Sequence, residues 1–121
     1  MADQPFFSIQ EIHTLVRAND FAFANSRAQH RAQDLGWDSA CVKAFLLAIR
    51  VAHFYKPFAN QLAFDGRQKL HTDAYRMHFD EELLAEGNSN VHPCFFTKLG
   101  IHKNPSRRLV AVVSFHLDGS P

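Results

Sequence analysis

The apolar spacing of this chain changes period once, near Arg50, and that change limits the fold more than any other feature. Before it, apolar residues recur at helical intervals: Val42, Phe45, Leu46 and Ile49 stand at i, i+3, i+4 and i+7. After it, aromatic and β-branched residues alternate with polar ones in segments broken by Pro, Gly and Asn, which is the period of strands. Helices followed by strands, without βαβ alternation, predict an α+β domain: N-terminal helices packed on one face of a twisted antiparallel sheet of about four strands. A chain of 121 residues has material for one core, so residues 1–121 are read as a single domain.

Local signals place the elements. Ser8 and Glu11 in S-I-Q-E form an expected capping box ahead of a helix whose stripe is Ile9, Ile12, Leu15 and Val16, ending near Asn19. A second helix is expected from Ser26 to Leu35 with Gly36 as its left-handed stop, and Asp38 caps a third. Strands are expected at about 53–59, 70–79, 94–102 and 108–117, with a turn at 102–106 built on Asn104 and Pro105. In the last strand, strict alternation sends Leu109, Ala111, Val113, Phe115 and Leu117 to one side and Arg108, Val110, Val112, Ser114 and His116 to the other. Residues 80–90 read as a helical turn with an acidic start, closed at Gly87.

Several function classes lack their parts. The formal charge of +1 argues against bulk electrostatic capture of nucleic acid. No GxSxG, P-loop, GxGxxG or HExxH string is present, and two distant cysteines, Cys41 and Cys94, suggest reduced thiols rather than a disulfide framework. His92 and Cys94 make only a weak H-x-C spacing, so no metal and no cofactor is expected. No apolar run approaches the roughly 18 residues of a membrane span, and MADQPFF has no basic start, so a cytoplasmic chain without a membrane role is expected.

The strands carry the chemistry. His53, Tyr55 and Lys56 lie in the first; His71, Asp73, Tyr75, Arg76 and His78 in the second; Lys98 in the third; Ser114 and His116 in the fourth. Residues two apart share a face, so His71, Asp73 and Tyr75 line up and the sheet has one apolar and one mixed face. A solvated face accounts for such residues without any function. The same face is also suited to RNA: metal-independent cleavage needs a base at the ribose 2'-hydroxyl, an acid at the leaving 5'-oxygen, and cations for the charge gathering on the phosphoryl group. Lys56, Arg76, Lys98 and His116 are of the right types, and Tyr55 or Tyr75 can stack a base.

The strings TLVRAND at 14–20, LGWD at 35–38, HFYK at 53–56, TDAYR at 72–76, TKLGI at 97–101 and VVSFH at 112–116 follow one another in an order that resembles a known family. From Ser8 to Leu117 the chain resembles the MqsR (motility quorum-sensing regulator) toxins, mRNA interferases of type II toxin–antitoxin systems with a RelE-like fold. The resemblance implies a ribosome-independent endoribonuclease that acts on single-stranded mRNA and limits growth. It also implies a cognate antitoxin, zinc-bearing and DNA-binding, through which alone the pair reaches operator DNA. The lysine of the family's FYK motif falls on Lys56; a glutamine, a tyrosine and a lysine of the family fall on Thr72, Phe96 and His116. The expected catalytic group is therefore Lys56 and His116, assisted by His71 and Tyr75, with Arg76, Lys98, Thr72, Tyr55 and Phe96 on the substrate. The three substitutions leave an alternative: a scaffold that binds RNA or a partner protein without cleaving.

Overall fold

The computed structural model describes residues 4–104 and 107–118, which form three α-helices and a six-stranded mixed sheet. In chain order these are α1 (Ile9–Arg17), β1 (Phe21–Phe23), α2 (Ser26–Asp34), α3 (Ser39–Ala48), β2 (Phe54–Ala63), β3 (Gln68–Asp80), β4 (Ala85–Glu86), β5 (Cys94–Asn104) and β6 (Arg107–Leu117). A 3₁₀ turn, Val51–His53, joins α3 to β2. The expected α+β class is present, with helices against the sheet.

Identifiable groups set the start of each helix and the end of α2. The Ser8 hydroxyl accepts the Glu11 N–H at 3.1 Å. Glu11 does not complete the expected box, because its carboxylate pairs with Arg108 at the start of β6. Asp38 accepts the Cys41 N–H at 2.8 Å to open α3, and Gly36, at φ 77°, closes α2 where a side chain would be strained. At the start of α2 the Asn25 side chain makes no capping bond; Asp65, from the β2–β3 turn, takes the Ser26 N–H at 3.0 Å.

The order across the sheet is β1-β6-β5-β3-β2, antiparallel except for β1, which runs parallel to β6. The four expected strands are there and longer than read; β1 and β4 were not expected. FAF at 21–23 is too short to announce itself, and its pairing with Val110–Val112 is a tertiary event. The helical turn expected at 80–90 is instead a turn in which Asp80 Oδ1 accepts the Glu82 and Leu83 N–H groups, followed by Ala85 and Glu86 pairing with Asp80 and Phe79. Of the expected turn at 102–106, residues 102–104 continue β5, while Pro105 and Ser106 lie outside the described residues.

The faces of β6 correct the strict alternation. Lys98 pairs with Ser114 and Leu99 with Val112, so Val113 is an extra residue in the ladder. The bulge puts Val110 and Val112 on the helix side together with Phe115, whereas Ala111 and Val113 join Ala24 and Ala63 in a second cluster. The main core gathers on Trp37, whose ring centroid stands 4.9–5.4 Å from those of Phe45, Phe79, Phe95 and Phe115.

His13 on α1 leaves its Nε2 buried without a partner. Burial holds its pKa below the usual histidine value, against a smaller opposite pull from the backbone of Ile49. A lowered folded pKa means the unfolded chain binds the proton more readily, so this contribution is full above about pH 6.5 and is lost as pH falls below it. His13→Leu is expected to flatten the fall in melting temperature on the acid side of that value; an unchanged pH dependence of melting would count against it.

Candidate nucleic-acid interface

The face of the sheet opposite the helices carries cations interleaved with aromatic rings. Register places Lys56 beside Ala74, Ala74 beside Lys98 and Lys98 beside Ser114, so these side chains share one face of β2, β3, β5 and β6. Lys56 and Lys98 converge on Phe58, their Nζ atoms 4.9 and 4.0 Å from its centroid. Lys98 also donates to Gln61 Oε1 at 2.9 Å. Among the described residues neither lysine has a carboxylate partner. Burial, and secondarily the charge of Lys56, lowers the pKa of Lys98 from the ordinary lysine value.

An irregularity between Phe54 and Lys56 brings Tyr55 to the same face. The guanidinium of Arg76 lies 3.9 Å over the Tyr55 ring and meets Asp118 at 3.5 Å. Tyr55 in turn packs edge-on to Phe96, which stacks on His116 at 4.9 Å between centroids. His116 Nδ1 faces its neighbour's carbonyl, Leu117 O, at 2.7 Å.

Several expected site residues stand elsewhere. Tyr75 is in the helix-side core against Phe54, its phenol pKa pushed far up by burial and then by Asp73. His71 is on that side too, stacked 4.5 Å from Phe6, with Nδ1 accepting the Asn60 N–H. Asp73 is fully buried and accepts the N–H groups of Phe6 and Phe7, so the line His71, Asp73, Tyr75 holds down the N-terminal segment. Thr72 shares the open side with Phe58 but is wholly covered, which removes it from contact with a substrate. His53 is also outside the patch: its ring accepts the Arg50 N–H and meets Glu86, which Arg50 grips as well.

Lys56 and His116 share a face without being neighbours. They lie on β2 and β6 with β3 and β5 between them, about 14 Å apart along the sheet at the usual strand spacing. Lys98 is closer to His116: Phe96 pairs with His116 and Lys98 with Ser114, which makes Lys98 and His116 diagonal neighbours at about 7–8 Å. Sequence reading passed over Phe58 and Gln61 as site residues, although the spacing of Lys56 and Phe58 already put both on one face. Among the described residues no helix is long and apolar enough to cross a membrane. No protein-family model matches the chain, and no curated protein matches it significantly.

Proposed function

We propose that this protein is a toxin-class endoribonuclease that cleaves single-stranded mRNA without a metal ion and thereby arrests translation and growth. The supporting observation is a single sheet face on which Lys56 and Lys98 share Phe58, Arg76 covers Tyr55 and Phe96 stacks on His116. Aromatic faces accept unstacked bases of any identity, and the cations beside them meet the phosphates.

The chemistry is transfer of the phosphoryl group from the 5'-oxygen of one nucleotide to the 2'-oxygen of its neighbour. A base takes the 2'-hydroxyl proton as that oxygen bonds to phosphorus, and an acid protonates the departing 5'-oxygen, leaving a 2',3'-cyclic phosphate and a 5'-hydroxyl. His116 and Lys98, diagonal neighbours, are the acid–base pair in this reading; the lowered pKa of Lys98 eases proton exchange. Lys56 and Arg76 stabilise charge on the phosphates on either side. A zinc-bearing, DNA-binding antitoxin would restrain the enzyme and carry the pair to operator DNA, as the resemblance to MqsR toxins implies.

The test is expression of the chain alone in bacteria together with incubation of purified protein and single-stranded RNA. Growth arrest and fragments ending in cyclic phosphate are the expected outcome. A harmless wild type and intact RNA would sink the proposal. A second reading, RNA binding without cleavage, is favoured by Tyr75 in the core, Thr72 under cover and Phe96 without a hydroxyl; its sign is retention of RNA with no product.

A further inference from the structure

Phe58 and Gln61 both meet the Lys98 ammonium, although three positions along a regular strand would put them on opposite faces. Register explains it. Phe58 pairs with Thr72 and Gln61 with Leu70, so Ala59 and Asn60 together stand opposite His71 alone. That is a bulge, the device by which a strand re-aims the side chain that follows it. Asn60 supplies the left-handed backbone, at φ 54°, and its N–H is taken by Nδ1 of His71, the residue across from it. His71, expected among the reacting groups, instead pins the strand that carries Gln61.

The amide of Gln61 is fixed at both of its polar atoms. Nε2 donates to Ala59 O at 3.2 Å, which turns Oε1 toward Lys98, and Oε1 accepts from Nζ at 2.9 Å. The lysine crosses a strand to get there: Ala74 of β3 lies in register between Lys56 and Lys98, and its methyl is fully covered. A lysine stem is flexible, so an ammonium left free above Ala74 would sample many positions. The Phe58 ring, 4.0 Å from Nζ, and Gln61 Oε1 reduce them to one. A neutral acceptor does this without cancelling the charge, whereas a carboxylate in the same place would pair with the ammonium and raise its pKa.

We infer that Gln61 is the positioning residue of this site: carried onto the cation face by the bulge at Asn60, it sets where the Lys98 ammonium stands relative to the phosphate and to His116. The inference rests on the ribonuclease reading and deepens it. Proton transfer needs donor and acceptor within hydrogen-bond reach, and a misplacement of about 1 Å can cost about 10²-fold in rate. Gln61 touches no reacting atom in this arrangement and acts through Lys98.

The test follows Lys98 directly, by NMR of its ε-carbon against pH in wild type, Gln61→Leu and Gln61→Glu, with Lys98→Arg to assign the signal. Loss of one hydrogen bond to a charged group is expected to lower the Lys98 titration by about one pH unit in Gln61→Leu. The carboxylate added in Gln61→Glu is expected to raise it by about one pH unit or more. In cleavage of single-stranded RNA, Gln61→Leu should lose about ten- to hundredfold in kcat at nearly unchanged KM, because the substrate itself does not touch Gln61. Gln61→Glu still offers an acceptor and should recover most of kcat, with the limb of the pH profile that follows Lys98 moved upward. If Gln61→Leu does not melt cooperatively, Gln61→Asn, one methylene short of the lysine, takes its place. An unmoved Lys98 titration in both variants overturns the inference, and so does a wild-type kcat in Gln61→Leu. A wild type that leaves RNA intact overturns the ribonuclease reading, and the Lys98 titration then decides alone whether Gln61 holds the ammonium.

Discussion

Purified protein carrying His116→Ala is expected to cleave single-stranded RNA about 10²–10⁴-fold more slowly than wild type, the ordinary loss when a general acid or base is removed. Lys98→Ala is expected to fall by a similar factor, because its ammonium sits diagonal to His116 on the same face. If the wild-type rate rises and falls with pH, each variant should lose one limb of that profile. Lys56→Ala is different: its charge lies two strands further over, so it should mainly weaken binding and reduce the salt slope by about 0.7. Tyr75→Phe serves as the internal contrast, since that hydroxyl is in the helix-side core and its removal should leave the rate unchanged. Full activity in His116→Ala would remove the imidazole from the mechanism. A collapse of the rate in Tyr75→Phe with an unchanged melting temperature would mean the reacting groups are on the wrong face.

The largest effect on stability is expected at Trp37. Its ring meets four phenylalanines contributed by α3, β3, β5 and β6, and its indole N–H donates to Glu81 at 2.7 Å. Removing the indole empties the contact point of a helix and three strands, and aromatic-to-alanine changes of this kind cost about 3–5 kcal/mol. Domains of this size hold only about 5–15 kcal/mol in all, so Trp37→Ala should lower the melting temperature by about 10–25 °C. Trp37→Phe keeps most of the apolar area and gives up the bond to Glu81, so its loss should be clearly smaller. Equal losses in the two variants would show that packing around the ring is not what matters.

The helices were legible because their signals are local. Ser8, Asp38 and Gly36 mark boundaries within a few residues of themselves, and the structure uses each as read. Glu11 shows the limit of such signals, since its carboxylate, expected to accept the N–H at its own helix start, went to Arg108 from the far end of the chain. In the strands, period two correctly placed His71, Asp73 and Tyr75 on a common side. It carried no sign telling which side the helices would cover, and the covered side proved to be theirs.

The candidate site was legible in residue type more than in arrangement. Lys56, Arg76, Lys98, Tyr55, Phe96 and His116 do share a face, yet the closest cation to His116 across the ladder is Lys98 rather than Lys56. That ranking follows from strand order, which places β5 between β3 and β6. The bulge at Val113 was equally invisible, because one extra residue in a ladder is defined by the partner strand. Arg27 and Arg31 lay on a helix read only for its boundaries, and they line one cleft with His116 because Asn25 and Ser26 tie the start of α2 to β6 and to the β2–β3 turn.

Three helices, the four long strands after them, and the side-chain groupings away from the β6 bulge were readable from local pattern, since periods of 3.6 and 2 are properties of neighbouring residues. Tertiary structure alone decided which side of the sheet faces solvent, which strand lies next to which, and where a single inserted residue turns the pattern over. Those choices depend on burying apolar area shared between segments tens of residues apart, and no short stretch of chain contains that information.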